Sequence, residues 1–172
     1  MSRLALLPSQ CEVCRGWGHG LVCSACTARF APAQVRCPCC GLARGAEAAP
    51  GSTPEGPCGA CLSEASSFAP YVRTVCALDY AFPWDRLVTA FKFQHRVELA
   101  VPLAALLGTA VDRESDLRPD LVVPVPLAPA RLAERGYNQA WELARPIARQ
   151  RGWRALPDAL QRVLDTPTQA AL

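Results

Sequence analysis

Eight cysteines arranged as four Cys-x-x-Cys pairs carry the plainest chemistry in this chain: Cys11/Cys14, Cys23/Cys26, Cys37/Cys40 and Cys58/Cys61. The Cys-x-x-Cys spacing bends the backbone into a knuckle whose two sulfurs point at one centre. Two knuckles together supply four thiolates in a tetrahedron, the closed donor set that suits structural zinc. Eight residues separate the first two pairs and seventeen the last two, gaps that a hairpin or short loop can span. Sequential pairing gives one site from Cys11, Cys14, Cys23 and Cys26 and a second from Cys37, Cys40, Cys58 and Cys61. Crossed pairing, first with third and second with fourth, uses the same eight ligands and stays open. A redox role fits one such pair but not four in a row, and a redox pair normally opens a helix after a strand, which these pairs are not expected to do. Disulfides need an oxidising compartment. The short apolar start MSRLALLPSQC is too brief for a secretion signal and reaches Cys11 at once, so a cytoplasmic location is expected.

Energetics favour the metal. Residues 1–66 hold few large apolar side chains (Trp17, Leu21, Phe30), too few for a core of their own. Zinc binding, about 10–16 kcal/mol in finger peptides, would supply the folding free energy instead. Cys39, between two ligands in CPCCG, reads as a bystander. Cys76 reads as a small buried hydrophobe, and His19 as a surface residue. The GWGHG stretch from Gly16 follows a Cys-x-x-Cys rather than a strand, so it reads as the turn of a first ribbon and not as a dinucleotide loop.

The elements that must hold these residues fall into two zones of the 172-residue chain. Residues 1–66 form the Cys-rich head, with Gly45–Pro57 as an unpatterned, mobile loop inside it. Residues 67–172 carry alternating strand and helix patterns. Tyr71–Tyr80 reads as a strand ended by Pro83, and Trp84–Phe93 as a short helix. Leu99, Leu103, Leu106, Leu107 and Ala110 recur at helical spacing. Leu121–Val125 reads as a strand buried in a parallel sheet. Asn138–Gln150 is expected to be helical, with Trp141, Ala144, Ile147 and Ala148 on one face and a kink at Pro146. Leu156–Leu164 could start a further element. The rhythm is that of an α/β sheet. Net charge is +3, split as +1 over residues 1–66 and +2 beyond, which is not the basic footprint of a dedicated nucleic-acid binder. No apolar run reaches the roughly 18 residues of a membrane helix, so no membrane insertion is expected.

After Leu121–Val125 a loop is expected to carry Arg131, Arg135, Gly136, Asn138 and Gln139 into the last helix. Ligands of open α/β sheets bind at the C-terminal edge of such strands. Two arginines, a glycine and a helix N-terminus make a candidate anion site. A solvated helix cap explains the same residues equally well.

The order of these pieces resembles the ComF family, also called the GntX family. The matching pieces are the four Cys pairs, with Arg36–Gly41 around the third; Phe91–Lys92; Val123–Leu127; Arg131; Arg135–Ala140; Arg162; and Thr168–Leu172. The match runs the length of the chain, and the RGYNQA block joined to four Cys pairs is specific. The resemblance implies a double zinc ribbon over 1–66. It implies an incomplete type I phosphoribosyltransferase-like (Rossmann-like parallel sheet) domain over 67–172, the N-terminal part only. It implies a bacterial cytoplasmic protein of natural competence, with single-stranded DNA and competence-machinery proteins as partners. Lys92, Arg131, Arg135, Gly136, Asn138 and Gln139 would line the phosphoribosyl site, with Arg135 and Gly136 facing pyrophosphate. Without the resemblance, Lys92 reads as a solvated helix residue. Phosphoribosyl pyrophosphate with Mg²⁺ would serve the complete domain.

The family's phosphate loop, an apolar strand ending in two acids before Thr-Thr-Gly-x-Thr, has no counterpart here. Asp165–Thr168 has one acid, no glycine and an obstructing proline. This chain by itself is therefore expected to be catalytically inactive, and less stable than relatives with the loop. The alternative is a zinc-ribbon module that binds single-stranded DNA or a partner without catalysis, with Trp17, Phe30, Arg15, Arg29 and Arg36 giving stacking and phosphate contacts. The blander reading of those five is a minimal ribbon core with a solvated surface.

Overall fold

A computed structural model describes residues 8–45, 56–63, 71–114 and 116–163. The Gly45–Pro57 loop lies almost wholly outside the described residues, as do Asp165–Thr168 and the Thr168–Leu172 match. The first Cys pair sits in a tight hairpin. Strand β1 (Ser9–Gln10) pairs antiparallel with β2 (Trp17–Gly18) across the knuckle. Gly16–Gly20 is thus partly the return strand and not simply a turn. Helix α1 (Ser24–Phe30) follows directly from Cys23, which is its N-cap. Helix α2 (Gly59–Ser63) follows Cys58 in the same way. The second knuckle of each cluster therefore opens a short helix, contrary to the ribbon expectation. The carbonyls of Cys23 and Cys58 accept the first helical bonds, from Thr27 N–H at 3.0 Å and Leu62 N–H at 2.9 Å.

The body is built from helices. Helix α3 (Trp84–Phe93) forms where its apolar residues recur at helical spacing, with Trp84, Leu87 and Phe91 on the buried face. Asp85 in its first turn and Lys92 in its last suit the helix dipole. A 3₁₀ turn (Val97–Leu99) leads into α4 (Ala100–Asp112). Trp84, Leu87, Phe91, Leu99, Ala100 and Leu103 make the contiguous core. Burying each large side chain contributes about 1.5–3 kcal/mol. Helix α6 (Gln139–Arg151) begins at Asn138, whose side chain accepts from the N–H groups of Ala140 and Trp141, and ends at left-handed Gly152. Pro146 lies inside it, so the Glu142 carbonyl lacks the usual helical donor. Helices α4 and α6 pack together, and Arg151 locks them: it donates to the Gly108 carbonyl at 2.8 Å and pairs with Asp112.

Three strand or loop expectations change. Tyr71–Tyr80 is extended but joins no ladder among the described residues. Its hydrogen-bonding groups turn to the second cluster instead, where Thr74 N–H donates to the Pro38 carbonyl and Thr74 Oγ1 to that of Cys39. Leu121–Val125 makes a single parallel bridge, Val122 with Ala155, and Val125 is exposed. It is not a buried strand because no second neighbour flanks it among the described residues. The expected loop after it contains a helix, α5 (Pro129–Arg135), with Pro129 at its first position and Gly136 as its left-handed stop. Residues 156–163 form neither helix nor strand. What is observed is therefore a helical body with one small sheet and two cysteine clusters.

Candidate functional site

The four sulfurs of Cys11, Cys14, Cys23 and Cys26 lie within 4.8 Å of one another, and so do those of Cys37, Cys40, Cys58 and Cys61. Pairing is therefore sequential. Cys14 Sγ lies 3.8 Å from Cys23 Sγ, and Cys40 Sγ 3.7 Å from Cys58 Sγ. Four sulfurs about 2.3 Å from a central zinc would stand about 3.8 Å apart, so both clusters fit that ion. All ten cysteines are free thiols, and Cys39 and Cys76 belong to neither cluster.

The two clusters are structural copies. In each, the N–H of the first cysteine bonds five residues on, Cys11 to Gly16 and Cys37 to Leu42, both at 2.9 Å. The first cysteine's carbonyl accepts from the residue four positions on, Arg15 and Gly41. Both of those residues are left-handed, with φ 61° and 75°. The third cysteine donates its N–H to the first one's sulfur, Cys23 to Cys11 at 3.4 Å and Cys58 to Cys37 at 3.2 Å. Gly41 must be glycine, because a Cβ there would lie 2.2 Å from Cys76 Sγ.

Electrostatics repeat as well. Burial pushes the Cys11 thiol up, but the backbone N–H groups of Cys14, Cys23 and Val13 outweigh it and bring it down to about 6. Cys37 is brought down to about 6 by the equivalent amides of Cys40, Cys58 and Cys39. Burial and then the neighbouring Cys23, Cys14 and Cys11 push Cys26 up to about 12. Cys61 is pushed up by Cys58 and Cys40 and by burial. Each cluster thus has one thiol lowered and at least one raised, Cys26 in the first and both Cys40 and Cys61 in the second. A divalent cation at the centre opposes that rise.

The second set of residues meets at the far end of α3. The expected site residues come from two separated segments, Lys92 and 131–139, and the fold joins them. The Gln139 side-chain amide donates to the Lys92 carbonyl at 3.5 Å, and the Tyr137 hydroxyl donates to the Phe91 carbonyl. Arg131 and Arg135 share α5, and Gly136 ends it with φ 75°. Two of the expected residues serve the scaffold. Gln139 is buried. Asn138 Oδ1 takes the first amides of α6, and its Nδ2 donates to the Val125 carbonyl at 3.1 Å. The α6 N-terminus is occupied by its own cap, so the positive charge offered here is that of exposed Lys92 and of half-buried Arg131 and Arg135.

A third feature was only partly expected. Trp17 is 76% exposed and so is no ribbon core residue. Phe30 packs edge-on to Phe82, and Arg29 and Arg86 lie over those two rings. A cleft next to them is lined by Arg15, Tyr80, Phe82, Arg86 and Arg96. Tyr80 and Phe82 remain 72% and 55% exposed. Sequence reasoning missed Tyr80, Phe82, Arg86, Phe93 and Tyr137.

Paired four-cysteine clusters on a helical body define a class, a small protein with two metal-binding-type modules and a two-arginine corner. The chain is 34% identical over 170 residues to DNA utilization protein YhgH of Escherichia coli (strain K12), covering 95% of this chain and 70% of that protein. Its identity to the protein of the same name in Salmonella typhimurium (strain LT2) is 35% over 170 residues. It is also 35% identical over 119 residues to Competence protein F of Haemophilus influenzae, covering 67% of this chain and 51% of that protein. The chain belongs to the ComF family. No family model and no solved structure matches it. No helix among the described residues is long and apolar enough to cross a membrane.

Proposed function

We propose that this chain acts in the handling of DNA in the cytoplasm, as a module stapled by two structural zinc ions with an oxyanion-binding corner for a diphosphate-bearing nucleotide or sugar. The names of its relatives, DNA utilization protein and competence protein, support the first part. The observation behind the second is that the Lys92 main chain is tied to the α5–α6 turn that carries Arg131, Arg135 and Gly136, Gln139 reaching the Lys92 carbonyl and His95 the Arg135 carbonyl. Arginine forks bind diphosphate bidentately, and lysine adds a compact charge. Asn138 and Gln139 hold the corner in shape. The parallel bridge between Val122 and Ala155, joined through α6, favours a Rossmann-like β–α–β unit beneath it. Phosphoribosyl transfer, with Mg²⁺ and phosphoribosyl pyrophosphate, would also need a phosphate loop. Titration calorimetry with inorganic pyrophosphate is the test. Measurable binding that Arg135→Ala weakens at least tenfold supports the corner, and equal affinity in the variant defeats it. Purified protein should carry two zinc ions.

A second reading is favoured by the aromatic surface. Tyr80, Phe82 and Phe30, interleaved with Arg29, Arg86 and Arg15, form a stacking platform of the kind that takes single-stranded nucleic acid. Fluorescence anisotropy with a labelled oligo-dT at two salt concentrations tests it. Binding that weakens with salt, and that Phe82→Ala reduces, is expected. No binding at low salt would remove this reading and leave the anion corner untouched.

A further inference from the structure

The corner's key cation is held in two ways by residues that neither the sequence motif nor the relatives' names point to. The Arg135 guanidinium lies over the ring of Phe93, 4.8 Å from its centroid. Phe93 is 62% exposed, an unusual state for a large apolar side chain at a helix end. The Arg135 main chain is held separately: the His95 imidazole Nδ1–H donates to its carbonyl at 3.3 Å. His95 pays for that position, since its φ is 55°, and apart from Arg15 it is the only non-glycine residue with positive φ among the described residues. Glycine would occupy that conformation without strain. Strained residues that persist cluster at functional sites.

We infer that Phe93 and His95 are positioning residues for the anion corner, Phe93 presenting the Arg135 guanidinium and His95 fixing the turn from which it projects. The inference deepens the proposed diphosphate reading and rests on it for its ligand. It also explains why the segment Phe91–His95 touches the α5–α6 corner at four successive points. Tyr137 reaches the Phe91 carbonyl, Gln139 that of Lys92, Arg135 the Phe93 ring, and His95 the Arg135 carbonyl. Lys92 sits in the middle of this run with its backbone fixed and its side chain exposed. The Lys92 main chain and the Arg135 guanidinium, from distant parts of the chain, are thereby tied to one corner before any anion arrives. Such preorganisation raises affinity by lowering the entropy lost on binding.

Two readouts test it on the full chain. The first needs no ligand: the rate at which phenylglyoxal modifies Arg135, read by peptide mass mapping. Releasing the guanidinium from the ring with Phe93→Leu should speed modification about two- to fivefold, the range of an exposed cation–π contact. The second is pyrophosphate affinity by calorimetry. Phe93→Leu should weaken it by a similar factor, with little further effect in an Arg135→Ala background. His95→Gly should weaken binding while leaving the melting temperature unchanged or raised, because a strained residue is relieved. His95→Asn, which tolerates left-handed backbone and keeps a side-chain N–H, should restore affinity. Unchanged Arg135 reactivity in Phe93→Leu together with unchanged affinity in His95→Gly overturns the inference. If Arg135 reactivity responds while wild-type protein binds no pyrophosphate, the positioning stands and the diphosphate reading falls.

Discussion

The two cysteine clusters share a backbone plan but carry different loads. The first is wired into the body. Trp84, 2% exposed at the start of α3, donates its indole N–H to the Phe30 carbonyl at 2.7 Å, at the end of the helix that holds Cys26. Glu12, inside the first knuckle, pairs with Arg96 at 2.7 Å beyond the other end of α3. Val13, Leu21, Val22, Phe30 and Ala31 pack against the buried core. The second cluster meets the extended strap at 71–79: Thr74 on the Pro38 and Cys39 carbonyls, Cys76 against Gly41, and Arg36 paired with Asp79 at 2.7 Å. A shared local geometry does not set how much a module contributes to global stability. That depends on what its outer surface touches.

The largest expected effect breaks this asymmetry directly. Cys11→Ser with Cys14→Ser should reduce zinc from two ions to one and abolish the cooperative helical melt seen by circular dichroism. Zinc coordination worth about 10–16 kcal/mol is comparable with the whole stability of a typical domain, about 5–15 kcal/mol. Cys37→Ser with Cys40→Ser should also remove one zinc but leave that melt nearly intact. Equal melts for the two double variants would end the comparison. Next in size, Trp84→Phe should destabilise by about 2–3 kcal/mol in urea titrations, because it strands the Phe30 carbonyl and loosens the core. Gly41→Ala should cost about 1–3 kcal/mol, from the Cys76 collision and the left-handed backbone. Its effect should fall mainly on the second metal's retention against a chelator, and Cys76→Ala should recover part of it in a double-mutant cycle.

The smallest effect concerns the C-terminal end of α3, where Tyr137 packs. Burial, with Glu98 and Glu142 nearby and Arg135 opposing, raises the Tyr137 hydroxyl above its ordinary 10.0. A group whose folded pKa is raised contributes stability that is present in full below the unfolded value and lost as pH rises through the folded one. Stability should therefore decline above about pH 10, and Tyr137→Phe should flatten that part of the profile while lowering the plateau by about 1 kcal/mol for the lost bond to Phe91.

Much of this was readable from residue order. The membership of the two four-cysteine clusters, the bounds of α3, and Asn138 as the start of α6 follow from spacing and capping chemistry. Tyr71–Tyr80 misled because β-branched residues mark extended backbone, while only a partner makes it a strand; here the partner is a cysteine knuckle. Helix α5 carried a usable signal in Pro129, a run of good helix formers and Gly136, but the pull of the anion loop hid it. The paired roles of Phe93 and His95 had no local signature, since they depend on a contact with Arg135 made 40 residues away.

The bond from Trp84 to Phe30 has a consequence for biosynthesis. Trp84 follows Phe30 by 54 residues, so at about 5–20 residues per second the ribosome delivers it roughly 3–11 seconds later. All four ligands of the first cluster precede Phe30 in the chain. With zinc in that cluster as proposed, the supply of metal during those seconds would decide whether the nascent helix α3 emerges to a formed landing site or to an open chain.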